Sequence, residues 1–331
     1  MNIAERNRIA GKKIAKIFAL LSVGAISIVG VLALGMRSAL REDRLFQLAK
    51  EVKRIALPKN ATAKKAAAGV VQFNEFGQLT QYPNKEVMIK PTTTRKTIIA
   101  FVFGQSNAAN HAGEKFFSNN THIFNYWNEQ YYVASDPLLG STGSAGSVWT
   151  LTANKLIKEK TADAVILVPA AVAGTSVADW RPGGRLNEMF ENRLKSALKN
   201  NLAITHFFWH QGEADNPIGG HSRLELADYE VGMKKIIAQT KKYFPQSKFF
   251  VAIATRCDYS RPVSIPLQNI QRSLAKMNGV FVGPNTDNIG LEDRYDDCHF
   301  SGNGLEKHSN SWLSAINQSQ RWTRKTGQGY K

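Results

Sequence analysis

The sequence predicts an α/β fold: a three-layer α/β/α sandwich around a central parallel sheet, preceded by an N-terminal transmembrane helix. Three observations lead there. From residue 96 onward, short runs of β-branched and aromatic residues alternate with longer amphipathic stretches. Strands alternating with helices imply right-handed crossovers and a parallel sheet covered on both faces. Clusters of chemistry-bearing residues fall just after several of those runs, where open α/β sheets bind ligands. Finally, an uncharged run of about 20 residues near the N-terminus is long enough to cross a hydrocarbon core.

Residues 1–16 form a basic tail, and residues 17–36 the expected anchor, uncharged from Ile17 through Met36. The run is longer than a usual signal-peptide apolar region. Ala33-Leu34-Gly35 leaves open a weak cleavage site, which would make the segment a signal instead. Residues 37–95 read as a basic stalk and connector: Leu40, Leu45, Phe46, Leu48, Ala49 and Val52 recur at mixed helical spacing, and short alternating runs with turn residues follow from residue 66. The chain's formal charge of +17 looks at first like a nucleic-acid signature. Residues 1–65, however, hold fourteen Lys/Arg against four acids, which is ten of those seventeen charges. Basic residues flanking an apolar span are attracted to anionic lipid. No zinc-finger spacing, RNP-like aromatic motif or basic heptad accompanies them, so no nucleic-acid partner is expected. The expected partner of residues 17–36 is the membrane. Lys/Arg bias across the span is nearly even. A short basic tail is hard to translocate, so the N-terminus is expected inside and the rest of the chain on the extracytoplasmic (periplasmic or extracellular) side.

The main domain is expected over 96–318, with a basic tail at 319–331. Its strands are predicted at 97–103, 164–168, 204–209, 248–254 and 280–282. Helices are predicted at 147–159, 186–199, 224–241, 264–276 and 302–315. Asn128-Glu129 between Ile123-Phe124-Asn125-Tyr126-Trp127 and Gln130-Tyr131-Tyr132-Val133 predicts a hairpin. Gly140 through Ser147 is glycine-rich but lacks a P-loop lysine, so it is expected to be a mobile loop lining a cleft rather than a phosphate cradle.

Three blocks carry acyl-transfer chemistry: Gly104-Gln105-Ser106-Asn107-Ala108, Trp209-His210-Gln211-Gly212-Glu213-Ala214-Asp215 and Asp296-Asp297-Cys298-His299. Ser106 follows a buried-strand pattern at a glycine-containing turn, which pushes its hydroxyl clear of the sheet. A serine nucleophile needs a base, and His299 with Asp296 three residues before it supplies base and orienting carboxylate. Asp297 is the rival carboxylate. Gly174, just past the strand at 164–168, can bring its N–H close to a reacting oxygen, and the Gln211 amide is a further candidate donor. His206, His210 and Glu213 do not match a helical His-Glu-x-x-His metal site, so neither metal nor cofactor is expected. His111, His122, His221 and His308 have no companions in sequence and read as surface or structural. Cys257 and Cys298 can form a disulfide in an oxidising compartment, tying down the loop that carries His299, or remain two separate buried thiols.

Together these blocks resemble the SGNH hydrolases, in the branch of sialate O-acetylesterases and related carbohydrate acetyl esterases, over roughly residues 96–316. The first block is similar to that branch's nucleophile block. Ala173-Gly174-Thr175-Ser176 with Trp180 is similar to its glycine block, and His210 to Asp215 to its third block. Asp296-x-x-His299 is similar to the Asp-x-x-His of the superfamily. Gln211 stands where the superfamily at large carries an asparagine, as is usual in this branch. The resemblance implies a metal-free serine esterase removing acetyl groups from an O-acetylated carbohydrate, with Ser106, Asp296 and His299 catalytic. Ser106, Gly174 and Gln211 would form the oxyanion hole. Gln105, Asn107 and Glu213 are expected to support the site, and Trp180, Arg181 and the 140–147 loop to wall the sugar. An O-acetyltransferase using the same site and a catalytically silent glycan-binding protein are the alternatives.

Overall fold

The computed structural model describes residues 70–326, apart from 119, 223, 259 and 260. The predicted anchor at 17–36 and most of the stalk lie outside the described residues. Among the described residues no helix is long and apolar enough to cross a membrane.

The strands are β1 (Gln72–Phe73), β2 (Leu79–Gln81), β3 (Val87–Met88), β4 (Thr97–Gly104), β5 (Ile123–Trp127), β6 (Gln130–Val133), β7 (Ala164–Pro169), β8 (His206–His210), β9 (Lys248–Ile253) and β10 (Val280–Asn285). The helices are α1 (Val148–Lys158), α2 (Val177–Trp180), α3 (Asn187–Lys199), α4 (Leu226–Tyr243), α5 (Ile265–Ser273) and α6 (Gly302–Thr326). Eight strands form one sheet in the order β10-β9-β8-β4-β7-β5-β6-β3. The six from β10 to β5 pair in parallel, while β6 and β3 run antiparallel to their neighbours.

β4 sits centrally and shows why the sandwich forms. All eight of its residues are buried. Side chains alternate across a strand, so Ile99, Phe101 and Phe103 enter one core while Ile98, Ala100 and Val102 enter the other. The first core takes Phe190 and Leu194 of α3, Met233 and Ile236 of α4, and Leu267 of α5. The second takes Val148 and Leu156 of α1 with Leu305, Trp312 and Ile316 of α6. A strand apolar on both faces requires a helical layer on each.

Two features depart from the expected outline. The connector contributes β3 at the sheet edge, where Val87 and Met88 pair with Tyr132 and Tyr131. Helix α6 runs on to Thr326, across the position where a tail was expected to begin.

Candidate active site

β4 ends at Gly104 (φ 123°), where a Cβ would stand 2.1 Å from the carbonyl oxygen of His210 at the end of β8. Only glycine fits so close an approach of two strand ends. The chain then turns through a single 3-10 turn, Ser106–Ala108. The Gln105 N–H donates to the His210 carbonyl at 3.0 Å, and its side-chain oxygen accepts from the Ala214 N–H at 3.1 Å. Both bonds hold Gln105 and so fix the backbone that leads into Ser106. The Ser106 hydroxyl itself makes no hydrogen bond among the described residues, and Ser106 is 6% exposed.

The opposing loop carries His299. Its Nδ1 lies 2.6 Å from Asp296 Oδ2, and the His299 and Cys298 N–H groups donate to Asp296 Oδ1 at 2.6 and 3.2 Å. A carboxylate accepts, so Nδ1 carries a proton and donates it, leaving Nε2 outside the bond to Asp296. Nε2 is shielded from water and has no partner among the described residues. Burial alone would raise the Asp296 carboxyl, but the hydrogen bond and charge of His299, with the two N–H groups, outweigh it and hold it below its ordinary value. Asp297 is exposed at φ 65° and makes no bond to the ring, so Asp296 is the partner.

The two loops are held together by their neighbours. Asn107 Nδ2 donates to Glu213 Oε1 at 2.8 Å and reaches the Cys298 carbonyl at 3.5 Å. The Arg294 guanidinium donates to that same carbonyl. Asn107 follows Ser106 and Cys298 precedes His299, so this junction places the hydroxyl and the imidazole on facing segments. Glu213 is buried beside His210, whose Nε2 is 3.3 Å from Oε1. Burial pushes the Glu213 carboxyl up, but the charge and hydrogen bond of His210 and the Asn107 amide bring it below its ordinary value. Cys257 and Cys298 are disulfide-bonded across 41 residues of sequence, which adds a covalent anchor to the His299 loop.

Gly174 (φ 65°) lies beyond the end of β7, and its carbonyl is 3.1 Å from His221 Nε2. Neither the Gly174 nor the Ser106 backbone N–H has a backbone partner among the described residues.

Four expectations need correction. Gln211 is fully buried, and its amide nitrogen donates to the Thr175 carbonyl at 3.1 Å and to Asp215 Oδ2 at 2.7 Å. Both N–H groups are spent, so the side chain is a brace and not an oxyanion donor. Trp180 is fully buried, donates to Thr175 Oγ1 at 2.9 Å and packs on Phe103, Phe190 and Trp209. It is core, not a sugar-facing wall. Arg181, its neighbour, is half-buried, with its stem along Gly232 of α4. The 140–147 segment is not a loose loop. Backbone bonds tie it to Leu79, Asn110, Ala112 and Ala171, and Asn110 Nδ2 donates to the Leu138 carbonyl at 2.9 Å just ahead of it.

The fourth correction concerns His111, which has a companion after all. Its ring stacks on His299 with centroids 5.5 Å apart and planes at 25°. Its Nε2 is 3.2 Å from Thr142 Oγ1, which in turn accepts from the Ala173 N–H at 2.9 Å. Burial, with nearby His299, holds the His111 imidazole down at about 4, so it is neutral near pH 7. Tyr295 stacks on His299 as well, with centroids 6.1 Å apart and planes at 28°. Sequence spacing gave no signal for His111, 188 positions from His299. Tyr295 stood in plain view, one residue before Asp296. Among the described residues no group of three or more His, Cys, Asp or Glu is placed to hold a metal ion.

The arrangement places a serine hydroxyl, an oriented imidazole and two backbone N–H groups without backbone partners beyond the carboxyl ends of parallel strands. Several solved structures are similar to this chain. An Arabidopsis thaliana protein is 20% identical, with a TM-score of 0.54, covering 67% of this chain and 98% of its own. NanS is 14% identical, with a TM-score of 0.49, covering 71% and 99%. A protein from Parabacteroides merdae, described as GDSL-like lipase, is 16% identical with a TM-score of 0.47, covering 69% and 99%. No curated protein matches the chain in sequence. The sequence model described as "Carbohydrate esterase, sialic acid-specific acetylesterase" matches residues 96–317, and the chain belongs to that family, within the SGNH carbohydrate acetylesterase branch.

Proposed function

We propose that this protein is a serine esterase that removes O-acetyl groups from carbohydrate through an acetyl-serine intermediate. The observation that carries the reading is the His299 ring: Nδ1 fixed on Asp296 and Nε2 unpartnered, on a loop that the Asn107 amide ties to the segment of Ser106. In the first step Ser106 Oγ attacks the acetyl carbonyl carbon while His299 Nε2 takes its proton. The carbonyl oxygen becomes an oxyanion, held by the N–H groups of Ser106 and Gly174. On collapse the bond to the sugar oxygen breaks, His299 protonates that oxygen, and acetyl-Ser106 remains. Water then attacks the acyl carbon with His299 as base. The Ser106–acyl bond breaks, and acetate leaves as Ser106 regains its proton. Asp296 stabilises the imidazolium formed in each half-reaction.

With residues 17–36 as an anchor, this domain would work outside the cytoplasm. The Cys257–Cys298 disulfide supports that side, since such bonds persist in oxidising compartments.

The test is acetate release from a panel of O-acetylated sugars by the full chain, beside Ser106→Ala. Activity from the wild type that falls by about 10⁴-fold or more in Ser106→Ala establishes the serine route. A folded wild-type protein releasing no acetate from any of them overturns the esterase reading.

A further inference from the structure

We propose that Tyr295 is the aromatic platform on which the substrate's sugar ring rests, so that the preferred substrate is an O-acetylated pyranoside and not a simple acetyl ester. This deepens the esterase reading and rests on it. A hydrophobic wall was expected from tryptophan, but Trp149, Trp180, Trp209 and Trp312 are all fully buried. Trp127 is capped by the Arg193 guanidinium 4.2 Å above its ring. Tyr295 is different: it is 54% exposed, yet it sits directly before Asp296 and against His299.

Its exposure is not looseness. The phenol O–H donates to the His111 carbonyl at 2.8 Å. The ring edge backs onto Gly113, where a Cβ would stand 3.0 Å from Tyr295 Cδ1. The ring is therefore pinned at its hydroxyl and along one edge, with its polar group already satisfied inside the protein. Burial and the neighbouring Asp296 charge hold the phenol up at about 12, so the ring is neutral throughout the working range. What it offers outward is a rigid, neutral aromatic surface beside the imidazole that protonates the leaving oxygen.

Such a surface matches one kind of leaving group. A pyranose presents C–H bonds on one face and hydroxyls at its rim, and an aromatic ring receives the C–H face without hydrogen bonds of its own. Because Tyr295 is held in place beforehand, docking costs little ordering entropy. The leaving sugar oxygen must reach His299 Nε2, and Tyr295 stacks on that same imidazole. A small alkyl ester has nothing to place there.

The experiment has a binding arm and a kinetic arm. In the Ser106→Ala protein, titration with an O-acetylated methyl pyranoside measures binding without turnover. Adding Tyr295→Ala should weaken it by about 10-fold, and Tyr295→Trp should restore most of the loss. In the active protein, Tyr295→Ala should raise KM for the sugar ester about 10-fold more than KM for ethyl acetate. Equal losses on both esters, or unchanged sugar binding, would mean that Tyr295 only props His299, and the proposal falls. If the wild type cleaves no ester but the binding loss appears, the esterase reading fails while the sugar platform stands.

Discussion

Among the described residues two His–carboxylate pairs stand at the same sequence spacing, and they have opposite fates. His299 and Asp296 sit on a partly open loop, 2.6 Å apart, with side chains 19% and 30% exposed. His210 and Glu213 sit at and just beyond the end of β8, 3.3 Å apart and almost fully buried. In the first pair the carboxylate takes Nδ1 and leaves Nε2 without a partner. In the second it takes Nε2, and Nδ1 is buried and unpaired. His210 is further enclosed by His308, whose ring meets it edge-on at 4.9 Å. An imidazole can move a proton for a ligand only through a nitrogen the ligand can approach. Spacing alone does not distinguish the pairs; the nitrogen engaged and the depth of burial do.

Three measurements break or sharpen that contrast. The largest expected effect is His299→Ala, which should lower kcat by about 10⁴-fold. Its melting temperature should fall by no more than roughly 2–4 °C, since the pair it forms with Asp296 is partly exposed. Equal losses of activity and stability would erase the distinction between the pairs. Next is Glu213→Ala, which strips a buried acceptor from both His210 and Asn107. It should cost about 2–3 kcal/mol of stability and lower the melting temperature by roughly 4–12 °C. Its effect on kcat should stay under about 10²-fold, acting through displacement of the Ser106 turn. The smallest effect is a pH dependence. The Asp296 carboxyl is lower in the folded protein than in the unfolded chain. Its contribution is fully present above the ordinary carboxylate value of about 4 and disappears as pH falls through the lowered folded value. Asp296→Asn should therefore flatten the acid limb of the stability curve, measured by chemical denaturation from neutral to low pH. An unchanged limb would remove Asp296 from the account.

Much of this was legible beforehand because parallel-sheet strands advertise themselves. Ile98 to Phe103 is an unbroken apolar run of β-branched and aromatic residues with one alanine, as suits a strand buried on both faces, and glycine closes it. The first two chemical blocks follow strand ends, so their approach to one another could be anticipated from topology. Side-chain direction was not legible. Trp180 belongs to a helix of one turn, too short for periodicity to say which side faces inward. Gln211 looked free because its acceptors, the Thr175 carbonyl and Asp215, are assigned by the tertiary fold. The glycines of 140–147 suggested mobility, but they serve close backbone approach: a Cβ on Gly146 would stand 1.5 Å from the Glu114 carbonyl oxygen. His111 needed the stack on His299 before it meant anything.

The short strand β3 has a practical consequence. It lies upstream of the family-matched region, which starts at residue 96, yet it covers the outer edge of β6. A chain cut to begin at residue 96 would retain every residue of the proposed site and expose a bare row of N–H and C=O groups along Gln130–Val133. Such an edge is a template for pairing with another copy. The stretch shared with relatives is thus shorter than the stretch that keeps this sheet from joining its neighbours, and the difference would be felt as self-association well before it was felt as lost chemistry.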